Sequence, residues 1–187
     1  MEVHKHQSAH DLEEVFFARQ TLDQLKHMRE EKIAAMEREE LSQASGITQK
    51  EILDELRQTG IKPESLAALS LIPLVKVAWA DGELDAKEKD AILQAIHKEG
   101  ISKDSPSYEM LETWISKEPN EDLYKAWVDY VGALSHALDG KSFVTLRDEI
   151  LGFAHKVAEA SGGFLGLGSK TSSVEQAALD SLKKAFH

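Results

Sequence analysis

Apolar residues recur three and four apart along nearly the whole of this chain, and that period limits what it can fold into. Strand signals are poor: β-branched and polar residues do not alternate cleanly, and no Asn-Gly or Asp-Gly pair separates two such runs. The period predicts an all-α protein. The expected architecture is a compact bundle of seven to eight helices with an internal pseudo-repeat, preceded by a long N-terminal amphipathic helix. Residues 1–46 are expected to form that first helix and residues 47–187 the helical domain.

The first long segment runs from about Asp11 to Ser45. Val15, Ala18, Leu22 and Leu25 recur at helical spacing, and Met28, Ile33, Met36 and Leu41 continue the stripe less regularly. The other face carries Glu13, Glu14, Arg19, Lys26, Arg29, Glu30, Glu31, Lys32 and Glu37 through Glu40, a mixed-sign pattern that suits an exposed helix. About 35 residues at 1.5 Å each span roughly 50 Å, longer than a small domain is wide. Such a helix either folds back on the core or projects and packs on another chain.

The remaining helices are set by caps, stops and apolar periodicity. Thr48 is the expected N-cap of helix Gln49–Gln58, with Glu51 at capping-box spacing and Gly60 as the stop. Glu64–Ala80 is almost wholly apolar, as befits the centre of a bundle, with a kink expected at Pro73. Asp85–Glu99, Ser107–Lys117, Glu121–Leu138, Phe143–Ala160 and Ser173–Phe186 complete the set. In the last of these, Val174, Ala177, Ala178, Leu182 and Phe186 are the expected buried face.

Charge and composition narrow the function. Lys plus Arg is 22 and Asp plus Glu is 33, a net charge of −11, so a nucleic-acid partner is not expected. There is no cysteine, which excludes disulfides, thiolate metal sites and Cys nucleophiles. No run reaches the ~18 apolar residues of a membrane span. Glu2, His4, Lys5 and His6 do not read as a signal peptide. A cytoplasmic protein is the expectation.

Val77-Ala78-Trp79-Ala80-Asp81-Gly82 can be laid over Val157-Ala158-Glu159-Ala160-Ser161-Gly162. Each ends an apolar helix at a glycine and precedes a helix carrying Glu and alanines, Glu88 through Leu93 in one copy and Glu175 through Leu179 in the other. Two hairpins built alike point to a pseudo-symmetric core.

The string Ala80 through Glu88 is the most specific local pattern. Aligned on a calcium loop, it supplies Asp81, Gly82, Leu84 and Glu88 at the fifth, sixth, eighth and twelfth positions. Val77 and Trp79 would fill the first and third, where side-chain oxygens are needed. Two readings stand: Asp81 or Asp85 caps the next helix, or Asp81, Asp85 and Glu88 form a weak divalent-cation site. The run Gly162–Gly168 before Lys170 and Thr171 misses phosphate-loop spacing, because Ser169 separates Gly168 from Lys170. Phe164, Leu165 and Leu167 there would tuck onto the bundle or form a partner patch. The histidines, including His4, His6, His10, His97, His136 and His155, form no zinc or di-iron pattern. No Ser or Thr sits beside a recognisable base, so no catalytic residue is assigned.

Leu71–Ile96, and above all Val77 through Gly82 followed by Glu88, resembles the tellurite-resistance TerB-like family of bacterial helical domains. The resemblance extends from about Thr48 to His187. It implies a compact helical bundle serving as an accessory or scaffolding module in stress-response settings, with acidic residues that hold a metal. By position these are Asp81, Asp85 and Glu88. Ser161 replaces the acid in the second copy, and the long N-terminal helix lies outside the common domain. Glu13-Glu14-Val15-Phe16-Phe17 and the charged helix after it also resemble the helical inhibitor subunits of bacterial ATP synthases.

The expectation is thus a non-enzymatic TerB-like interaction or scaffold module with a divalent cation as its sole candidate cofactor. Its N-terminal helix would self-associate or dock on a protein partner. The alternatives are a metal-dependent enzyme that adds ligands such as His155 or Glu159, and an ATPase-inhibitor-like regulatory helix on a helical anchor.

Overall fold

The structure is a computed structural model that describes residues 3–161 and 171–186. Among these residues there are eight α-helices, one 3-10 helix and no strand, the all-α architecture expected from the periodicity. The helices are α1 (Val3–Ser45), α2 (Lys50–Gln58), α3 (Ile72–Ala78), α4 (Ala86–Lys98), α5 (Pro106–Ser116), α6 (Glu121–Ala137), α7 (Gly140–Ser161) and α8 (Ser173–Ala185). The 3-10 helix spans Pro63–Leu71.

Two compact units divide at Glu39 and Glu40, inside α1, while the helix itself ends at Ser45 before Gly46. The physical basis lies in the second unit, where Leu41 and Ile47 are buried members of the core. The described residues of the first unit are helix alone. Its large apolar residues Val15, Phe16, Phe17, Leu22, Leu25, Met28, Ile33 and Met36 are all exposed. At 100° per residue Val15, Leu22, Leu25, Ile33 and Met36 share one stripe, whereas Phe16 and Phe17 point elsewhere. Apolar character is therefore not confined to one side of α1.

In the second unit α3 is central, as expected: every residue from Ile72 to Ala78 except Lys76 is buried. It packs on α7, α8, α6, α4 and the 3-10 helix. Lys76 escapes sideways, where its Nζ donates to Glu121 and lies 5.4 Å from the Tyr124 ring centre. The continuous kinked helix expected over Glu64–Ala80 is in fact two helices. Pro73 occupies the first turn of α3, where an amide has no intrahelical acceptor, so the ring costs nothing and starts a helix instead of bending one. Ser107 Oγ donates to the Glu64 carbonyl at 3.1 Å and Trp79 Nε1 to the Trp114 carbonyl at 2.9 Å, tying α5 to both sides of α3.

Helix ends follow local chemistry. Gln49, not Thr48, is the cap residue of α2, and it makes no side-chain cap bond. At the other end Gly60, φ +84°, closes α2: its N–H reaches the Arg57 carbonyl and the Ile61 N–H reaches that of Leu56, both at 3.0 Å. Gly100 and Ile101 close α4 in the same way. Behind α6 an aromatic cluster seals the bundle. Tyr124 stacks on Trp127 at 5.6 Å, and Phe186 meets Trp127 edge-on at 5.7 Å.

In α8 the buried face differs from the expected one. Val174 is 48% exposed, while Glu175, Leu179, Leu182 and Phe186 are buried. The register is fixed by Glu175, which must turn inward to reach the start of its own helix.

Candidate functional site: two capping turns

The chain leaves α3 at Trp79 and turns at Gly82, whose φ of +89° lies in the left-handed region. A Cβ there would meet nothing within 4 Å, so backbone conformation alone calls for glycine. Asp81 Oδ1 accepts the Glu83 N–H at 3.1 Å and closes the turn. Asp85 then caps α4, its Oδ1 accepting the N–H groups of Lys87 at 2.7 Å and Glu88 at 2.8 Å. Glu88 returns the bond: its Oε2 accepts the Asp85 N–H at 2.8 Å. Asp81 and Asp85 face solvent, and Glu88 is buried.

The second hairpin repeats this device. Ser172 Oγ accepts the Glu175 N–H at 3.2 Å, and Glu175 Oε2 accepts the Ser172 N–H at 2.6 Å. Both glutamates are the third residue of their helix, and each is followed by buried apolar residues at the same spacing: Ile92 and Ala95 after Glu88, Leu179 and Leu182 after Glu175. Packing echoes the sequence, since α4 lies on α7 as α8 lies on α3. Gly162, Phe164, Leu165, Leu167 and the rest of the glycine-rich run through Lys170 lie outside the described residues, as do the side chains of His4, His6 and His10.

Electrostatics join the two turns. Burial pushes the Glu88 carboxyl up to about 7; the Asp85 N–H opposes the rise, and the negative charges of Asp85, Glu175 and Asp81 add to it. Glu175 was legible in the sequence as the counterpart of Glu88 in the internal repeat, but not as a residue of the site. Its signal was the Ser172-x-x-Glu175 spacing, legible as a capping box but not as a partner of Glu88.

The three carboxylates do not fit a resident cation. Asp81 and Asp85 direct Oδ1, and Glu88 directs Oε2, at the chain's own amides, and Glu88 sits where a charged form is disfavoured. Among the described residues no group of three or more His, Asp or Glu side chains is arranged to hold a metal ion. His155 is half-buried and Glu159 exposed, both on α7. Among the described residues, no helix is long and apolar enough to cross a membrane.

Comparison with protein-family models, with curated proteins and with solved structures finds no match to this chain.

Proposed function

We propose that this chain is a non-enzymatic helical interaction module of the TerB-like kind. Residues 40–161 and 171–186 form the folded anchor, and residues 15–36 of α1 the contact surface. The observation that carries the reading is the exposure of eight large apolar side chains on that segment, between 47% and 68% each. Apolar surface left in water forgoes about 25 cal/mol per Å² that a partner would recover. Two matched capping turns also favour an anchor over a reaction centre: their carboxylates hold helix ends in place.

A photo-crosslinking residue placed at Leu25 in the full chain, and at exposed Lys103 as a control, tests this inside the host cell. Protein adducts are expected at position 25 and not at 103. No adduct at position 25, nor at 22 or 33, would overturn it.

A further inference from the structure

The geometry points to a second copy of this chain as the occupant of that surface, its α1 running antiparallel about a two-fold axis between Gln24 and Leu25. This inference rests on the reading of α1 as the contact surface and adds the identity and direction of the partner.

Within residues 15–36, Val15, Ala18, Leu22, Leu25, Ile33 and Met36 fall inside an arc of about 80° on the helix circumference. Arg29, expected on the charged face, in fact falls in the middle of that arc and is its one charged side chain; its stem is apolar and its head long enough to reach the helix edge. Along one border of the stripe lie Arg19, Asp23, Lys26 and Glu30, all exposed. Their charges alternate, and their spacing of four, three and four reads the same in both directions with the signs exchanged. Reversing a second copy about the midpoint sets Arg19 level with Glu30 of the other copy and Asp23 level with its Lys26. In a parallel two-fold pair this border would lie against the other border of the second copy, where Thr21, Met28 and Lys32 fall, and the four charges would find no such partners. Lys26 Nζ already lies 3.9 Å from Glu30 within one helix, with both side chains mostly exposed and able to serve a neighbour.

Net charge favours the same place. Residues 15–36 hold four cationic and three anionic side chains, in a chain whose net charge is −11. With its slight positive balance this segment is not one along which two copies would repel each other. The area suffices as well. Val15, Leu22, Leu25, Ile33 and Met36 in the arc, with Met28 beside it, offer about 100 Å² each, on the order of 600 Å² per copy and 1,200 Å² for the pair, at the lower bound of specific interfaces.

The chain has no cysteine, so single cysteines introduced into the full-length protein report the arrangement. Light scattering is expected to give the mass of a dimer. Leu25→Cys should oxidise to a covalent dimer. Val15→Cys alone should not, since its two copies would lie roughly 28 Å apart along the axis. Val15→Cys mixed with Ile33→Cys should cross-link, because those positions would lie within about one residue's rise, ~1.5 Å, of each other along the axis. Arg19→Glu with Lys26→Glu makes the border wholly anionic and should weaken the dimer at least about tenfold, with helicity by circular dichroism unchanged. Adding Asp23→Lys and Glu30→Lys should restore it.

Self-cross-linking of Val15→Cys, or a dimer indifferent to the border charges, would overturn the inference. A monomer at every concentration, with cellular adducts at Leu25 to a different protein, would overturn it and leave the interaction-module reading intact. A monomer with no adducts at all would remove both.

Discussion

Glu88 and Glu175 occupy one structural position twice: each is the third residue of its helix, and each accepts the N–H of its own cap residue, Asp85 at 2.8 Å and Ser172 at 2.6 Å. Removing a cap should therefore have the same consequence in either hairpin. Asp85→Ala and Ser172→Ala are each expected to cost about 1 kcal/mol. That corresponds to a fall of about 2–4 °C in melting temperature by calorimetry. Asp81→Ala removes a single bond on an exposed turn and should change stability by less than about 0.5 kcal/mol.

The buried carboxyl gives stability an unusual pH dependence. The ordinary Glu value of 4.5 applies to the unfolded chain, and the folded value is raised to about 7. Between the two, the folded state binds the proton and the unfolded state does not, so this group's contribution falls as pH rises from about 4.5 to about 7. Melting temperatures from pH 5 to pH 8 should decline more steeply in the native sequence than in Glu88→Gln, which keeps an acceptor for the Asp85 N–H without a titrating proton. Equal slopes would refute the assignment to Glu88.

Capping and cation binding at the Asp81–Glu88 turn make opposite predictions in a titration. Calorimetry with Ca²⁺, Mg²⁺, Mn²⁺ and Zn²⁺ should give the same isotherm for the native chain and for Asp81→Asn with Glu88→Gln. Binding heat lost in the double variant would place a cation at this turn after all.

Glycines of opposite backbone conformation should respond with opposite signs. Gly82→Ala forces a Cβ into the left-handed region and should destabilise by about 1–2 kcal/mol. Gly152 lies inside α7 with nothing within 4 Å of an added Cβ, so Gly152→Ala should stabilise by about 0.5–1 kcal/mol. Urea denaturation measures both.

Phe186 is 5% exposed and fills the space between Trp127 and Phe143. Phe186→Ala should cost about 3–5 kcal/mol. Its unfolding, followed by tryptophan fluorescence and by circular dichroism, should remain a single transition if α8 is integral to the bundle.

Much of this architecture was legible because helix boundaries are written locally. Asp85, Gly60 and Gly100 mark their helix ends in the sequence as they do in the fold, and Glu121–Leu138 differs from α6 by one residue. The misreadings share a cause. Pro73 has the same local signature whether it bends a helix or begins one, and only the placement of Leu71 and Ile72 decides between them. Val174 is the better core residue by transfer energy, yet the reciprocal bond between Ser172 and Glu175 turns the helix so that an acid goes inward instead. Asp81, Asp85 and Glu88 stood out as a local string. The nearness of Glu175 to Glu88 depends on how two hairpins pack across 87 positions of sequence, which no local pattern encodes.

The stops at Gly60 and Gly100 set the phase of whatever follows them. Each turns the next isoleucine back toward the helix it has just left, and Ile61 is buried while Ile101 packs against the core. One additional helical residue at either point would swing the outgoing chain through about 100° and aim that isoleucine at water. Insertions there should misdirect a whole hairpin, whereas insertions farther along the same connections would only lengthen a loop.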